Sequence, residues 1–192
     1  MTNVVRYLTH PQVNIDPSIP VPRWGLSAVG KARTEAVTIT ESLSATTRVV
    51  SSGERKAIET AEIIAAKLGV DVEVCEAMHE NDRSATGFLV PDEFEAVANQ
   101  FFEHPRISVR GWERAIDAQL RIVQEVERVL AHDRPGDVLL VGHGGVGTLL
   151  YCHYSGFEIA RAHDQPAGGG CFFAFRLHDR HVLHAWRRLE EL

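Results

Sequence analysis

A chain of 192 residues, 44% hydrophobic and 24% charged, has the size and composition of one globular domain with its own apolar core. That excludes a disordered tail and a disulfide-stapled miniprotein. Its 26 acidic against 20 basic residues give a formal charge of −6, the wrong sign for a nucleic-acid binder, so an anionic ligand has to be held by a local cluster of cations.

Val4–Leu8 predicts a short first strand. Ser27 is placed as an N-cap, opening a helix whose apolar stripe is Leu26, Val29, Ala32, Ala36 and Val37. Val49–Ser51 predicts a second strand, Glu54–Leu68 a helix stopped by Gly69, and Val70–Val74 a third strand. The stretch 78–110 is the least regular. It carries Pro91, Pro105, Phe88, Phe94, Phe101 and Phe102, and is read as an insertion over the strand ends, most of its aromatics belonging to a covering helix pair. Trp112–His132 predicts the longest helix, with Ile116, Leu120, Val123, Val126, Val129 and Leu130 on its buried face. Asp137–Val141 is continuously apolar after its first residue, as in a strand covered on both faces. Gly147–Tyr154 predicts a short helix, and Cys171–Leu177 with Val182–Trp186 a final hairpin. The alternation implies an α/β fold, a single domain over 1–192 with helices on both faces of the sheet. Sparse cysteines without a CxxC pair, an opening MTNVVRYLTH without an apolar signal core, and no long apolar run lead us to expect a cytoplasmic protein with no membrane or nucleic-acid partner. No motif speaks to oligomeric state.

Ligands of open α/β sheets bind beyond the carboxyl ends of the strands. His10 ends the first strand in VVRYLTHPQ and His143 the fourth in DVLLVGHGG, positions where imidazole serves as nucleophile, base or metal ligand. The glycines of GHGGVG let backbone N–H groups approach an anion, and the following helix points its positive end at the same place. As a dinucleotide fingerprint this segment lacks an acidic partner in a following βα unit. Gly25–Lys31 fits GxxxxGK, but Ala32 stands where a phosphate loop needs a hydroxyl and PVPRW is no strand. His178, His181 and His184 recur without a cysteine pair and read as a surface cluster, not a zinc site. Ser52 and Ser155 lie in no GxSxG context.

Several ordered pieces carry a family resemblance: RYLTHPQ, LSAVGKARTEA, SSGERKAIETAEIIAAKLG, Glu80 in the mid-chain insertion, and VGHGGVGTLL. Together they resemble the histidine phosphatase superfamily, which includes the phosphoglycerate mutases, over most of the chain. The resemblance implies a three-layer α/β/α sandwich with a mostly parallel central sheet, phosphoglycerate mutase-like, and phosphomonoester hydrolysis on a small phosphorylated molecule. His10 would attack phosphorus through Nε2 and become a phosphohistidine. His143 and the Gly144 amide would cradle the equatorial oxygens. Glu80 would protonate the leaving oxygen and then deprotonate water, with Asp82 as its competitor. The scheme requires no metal and no cofactor.

The chain departs from the family pattern at its phosphate-binding positions. Thr-His-Pro stands for Arg-His-Gly at Thr9, His10 and Pro11, and Lys56 stands for the arginine of the second block. A guanidinium fork binds two phosphate oxygens at once; lysine is a point charge and threonine is neutral. Thr9, Lys56, Arg83 and Gly144 are the expected substrate-binding residues, and Arg83, Arg55 and Arg6 are the candidates for the missing cation. A mutase must shield its intermediate from water, so a phosphatase is expected ahead of a mutase. The alternative is a member that binds a phosphorylated ligand with little or no turnover.

Overall fold

In the central strands, successive side chains point to opposite sides, and both sides are apolar. In the computed structural model, which describes residues 3–131 and 135–192 except for the side chains of Glu41 and Ser42, these strands form one six-stranded sheet. The strands are β1 (Val4–Thr9), β2 (Thr46–Ser52), β3 (Val72–Cys75), β4 (Asp137–Gly142), β5 (Cys171–Arg176) and β6 (Val182–Arg188), in the order β3-β2-β4-β1-β5-β6. The first four run parallel, and β5 and β6 add antiparallel to β1. The helices are α1 (Ala28–Glu35), α2 (Glu41–Ser44), α3 (Arg55–Leu68), α4 (Pro91–Glu103), α5 (Ala115–Leu130) and α6 (Gly144–Ser155).

The pleat sorts the core into two layers. Val5, Tyr7, Leu140 and Phe173 face a cluster completed by α4, α5 and α6, whereas Leu8, Leu139, Val141 and Phe172 face Ala57, Ala61 and Ile64 of α3. Each large side chain so buried contributes about 1.5–3 kcal/mol. The helices on both faces are as the alternation implies, and the α/β/α sandwich with its mostly parallel sheet is as the family resemblance implies.

Several local expectations are corrected. Ser27 does cap α1, accepting the Gly30 N–H at 3.1 Å, but the helix buries Gly30 and Thr34 and leaves Val29 and Ala32 exposed. Gly30 touches the Gln12 backbone too closely for any side chain, and that contact sets the buried face. The longest helix starts at Ala115, not Trp112, and turns Ala118, Ile122 and Val126 inward while Leu120 points to solvent. Its expected end, His132, lies outside the described residues. The helix after β4 starts at Gly144, not Gly147, so His143 is its N-cap. The insertion contains α4, begun by Pro91, with Phe101 and Phe102 buried and Phe88 against Trp24. Among the described residues no helix is long and apolar enough to cross a membrane.

Candidate active site

Parallel pairing of β1 with β4 sets Thr9 beside Gly142, and the His10 N–H donates to the Gly142 carbonyl at 3.0 Å. Both histidines thus leave the sheet at one place, their rings edge to face with centroids 5.3 Å apart. His10 Nδ1 lies 2.8 Å from the Pro11 carbonyl. A carbonyl only accepts, so Nδ1 carries the hydrogen and Nε2 keeps its lone pair. Burial, then the neighbouring His143 and Lys56, lower the His10 pKa to about 3, so the ring is neutral at pH 7.

His143 is fully buried. Its Nε2 is 2.7 Å from Ser52 Oγ, which accepts the Glu54 N–H at 3.2 Å. Ser52 donates to Nε2 in one tautomer of His143 and accepts from it in the other, and the ring's Nδ1 is buried without a partner. Burial lowers this pKa to about 4, although Glu54 Oε1 lies 3.6 Å from Nε2 and Glu80 is near. The Tyr7 hydroxyl holds the backbone of His143, accepting its N–H at 3.1 Å and donating to its carbonyl at 3.2 Å.

The first turn of α6 is already occupied by an anion of the chain itself. Glu80 Oε2 accepts the Gly145 N–H at 3.0 Å, and Oε1 accepts those of Val146 at 2.9 Å and Asn81 at 3.0 Å. Burial pushes the Glu80 carboxyl up, but Arg83, His143 and these amides together hold it below its ordinary value. A Cβ at residue 145 would lie 2.7 Å from Glu80 Oε1, so any side chain there displaces the carboxylate from the helix amides. Asp82 is exposed, accepts the Ser84 N–H at 2.8 Å, and does not line the cavity beside His10.

The expected cations separate. Lys56 is buried beneath the site, its ammonium on Glu54 and, at 3.1 Å, on the Val21 carbonyl. Burial raises the Glu54 pKa, but His143 and Lys56 outweigh it and bring it to about 2. Thr9 is fully buried and hydrogen-bonds Gln165 Oε1 at 2.6 Å while accepting the Cys171 N–H at 3.0 Å. Neither Thr9 nor Lys56 lines the cavity, and neither does His143, whose ring packs edge-on against that of His10. Arg6 pairs with Asp137 at 2.9 Å and Arg55 with Glu59 at 2.8 Å, both away from the cavity. Of the three candidates for the missing cation, Arg83 alone lines it, stacked over Phe94 (5.1 Å) and Trp112 (5.6 Å).

The cavity encloses about 880 Å³. It is lined by His10, Glu80, Gly144 and Gly145, by the aromatic rings of Phe94, Phe101, Phe102 and Trp112, and by Arg161, Asp164 and Gln165. Burial raises the Asp164 carboxyl. Sequence reasoning missed Tyr7, Glu54, Arg161, Asp164 and Gln165 as parts of the site. Glu54 sits within SSGERK and Tyr7 three residues before His10, next to motifs that were read. Residues 161–165 carry no motif. His178 is exposed, and His184 packs edge-on against Phe172, both distant from the cavity lining.

The family model described as histidine phosphatase superfamily (branch 1) matches residues 22–187. No curated protein matches the chain. Among solved structures, the fold is similar to a mycobacterial glucosyl-3-phosphoglycerate phosphatase, with 21% identity, a TM-score of 0.74, and 97% of each chain covered. It is similar to a phosphoserine phosphatase from Entamoeba histolytica in complex with 3-phosphoglyceric acid (14% identity, TM-score 0.76, 99% of this chain and 100% of that one). Bacillus stearothermophilus YhfR aligns at 19% identity and a TM-score of 0.75 over 95% of each chain. With the family model matching residues 22–187, a stretch that holds β2 to β5, most of β6 and His143 and begins after β1 and His10, the chain belongs to the histidine phosphatase superfamily.

Proposed function

We propose that the chain is a cytoplasmic phosphatase that hydrolyses a small phosphorylated molecule through a phosphohistidine on His10. The observation that carries this reading is the tautomer of His10: Nδ1–H tied to Pro11 O leaves an uncharged Nε2 free to attack. Nε2 would form a bond to phosphorus as the ester P–O bond breaks, with the leaving oxygen taking a proton from Glu80. Water would then attack the phosphohistidine, return that proton to Glu80 and release phosphate. Glu80 is ionised at rest, and a phosphoryl dianion arriving beside it raises its pKa until it holds the proton it needs. The Gly144 amide and Arg83, which line the cavity, supply donors for the equatorial oxygens, and the buried, unpartnered His143 Nδ1 joins them in the tautomer that carries its hydrogen there.

The test is hydrolysis of p-nitrophenyl phosphate with acid-quench trapping of a labelled phosphoenzyme. Both signals are expected from the native chain and neither from His10→Ala. A second reading, a phosphoanion binder with little turnover, is favoured by the Lys56–Glu54 pair and by Thr9, whose hydroxyl is engaged with Gln165. Thermal protection by inorganic phosphate without product or phosphoenzyme would select it. Interconversion of phosphoglycerate isomers is not expected under either reading.

A further inference from the structure

The cavity is far larger than a phosphate, and its charges limit what else it takes. Two guanidiniums line it. Arg161 donates from Nη2 to Glu95 Oε2 at 2.6 Å and its Nε is ion-paired with Asp164 Oδ2 at 3.1 Å, so its charge is already covered. Its Nη1 is buried without a partner, an N–H that suits a neutral oxygen. Arg83 lies over the faces of Phe94 and Trp112 and acts on Glu80 through space, with no carboxylate within salt-bridge distance among the described residues, which leaves one cation free of a direct ion pair for one anionic group. Both histidines are neutral and Lys56 is bound to Glu54. Glu80, Glu95 and Asp164 all face the same space, so a second anion meets repulsion there. The remaining wall is aromatic.

From this arrangement we infer that the substrate is the phosphate monoester of an aromatic or apolar alcohol, carrying a neutral oxygen at most and no second acidic group. The inference rests on the phosphate-site reading above and names what that site selects. Stable phosphonates test it without requiring turnover. By titration calorimetry, phenylphosphonate binds at least about tenfold tighter than phosphonoacetate, with inorganic phosphate as reference. Glu95→Gln uncovers Arg161 and improves phosphonoacetate binding by about two- to fivefold, with phenylphosphonate unchanged. Phosphonoacetate binding as tightly as phenylphosphonate, or failing to gain in Glu95→Gln, would overturn this inference while inorganic phosphate binding upholds the site. Absence of saturable binding by all three ligands would overturn the site and the inference together.

Discussion

The carboxylate of Glu80 lies across the first turn of α6 with Gly145 donating to it at 3.0 Å, so an acidic side chain fills the positive end of the helix that follows His143. An incoming phosphoryl group shares that end. Glu80→Gln therefore removes the proton relay and a repulsive charge in one step. Turnover of p-nitrophenyl phosphate falls by about 10²–10⁴. Inhibition by inorganic phosphate becomes stronger, measured as a lower Ki.

Arg83→Ala removes the uncommitted guanidinium. Inorganic phosphate affinity drops by about ten- to a hundredfold, the scale of a charge-assisted hydrogen bond of about 1.5–3 kcal/mol. The stacked position over Phe94 and Trp112 contributes about 0.5–1 kcal/mol, so urea unfolding shifts little. An unchanged phosphate affinity would assign the phosphate charge to another group.

Lys56 and Glu54 are buried together, and each compensates the other. Lys56→Met strands the carboxylate and costs about 3–5 kcal/mol in chemical denaturation. Adding Glu54→Gln recovers most of that loss, because the carboxamide oxygen still accepts the Glu80 N–H that Glu54 Oε1 accepts at 2.9 Å.

Acid acts on the fold through the same residues. His10 and His143 titrate at about 3 and about 4 when folded, against an ordinary imidazole value of 6.5. Between those limits the unfolded chain binds more protons, so stability is complete above pH 6.5 and is lost as pH falls toward 4. Glu54, at about 2 when folded against 4.5, adds loss of the same sign at lower pH. The unfolding free energy falls by about several kcal/mol between pH 7 and pH 4, read as a drop in the urea midpoint. Within the range where the chain stays folded, kcat/KM shows no acid limb near pH 6.5, because His10 remains unprotonated.

Tyr7→Phe leaves the His143 N–H and carbonyl without their partner hydroxyl. The loss is about 1–3 kcal/mol, read by urea unfolding, with a fall in activity as His143 loosens.

The strands and the two histidines were legible because their signals are local. Apolar runs bounded by turns predict β1, β2 and β4, and position at a strand end predicts His10 and His143. Helix faces were less legible. Val29 and Leu120 fit an apolar stripe, yet α1 is turned by the close approach of Gly30 to Gln12, and α5 buries the small Ala115 and Ala118 in its packing against α6 and residues 76–78. Charge was the hardest part to read. Lys56 matches a phosphate-binding position by order, and nothing in the order says that Glu54, two residues earlier, neutralises it. Residues 161–165 reach the cavity only through the path of the chain after α6, which no spacing encodes.

The sheet order has a consequence for synthesis. β1 is made first but must wait for β4 before it gains its parallel neighbour, and 136 positions separate Tyr7 from the His143 backbone it clasps. A chain that stops before β4 therefore leaves β1 with an open edge and the Tyr7 hydroxyl without the backbone it clasps, so the two histidines meet only after the last third of the polypeptide has been made.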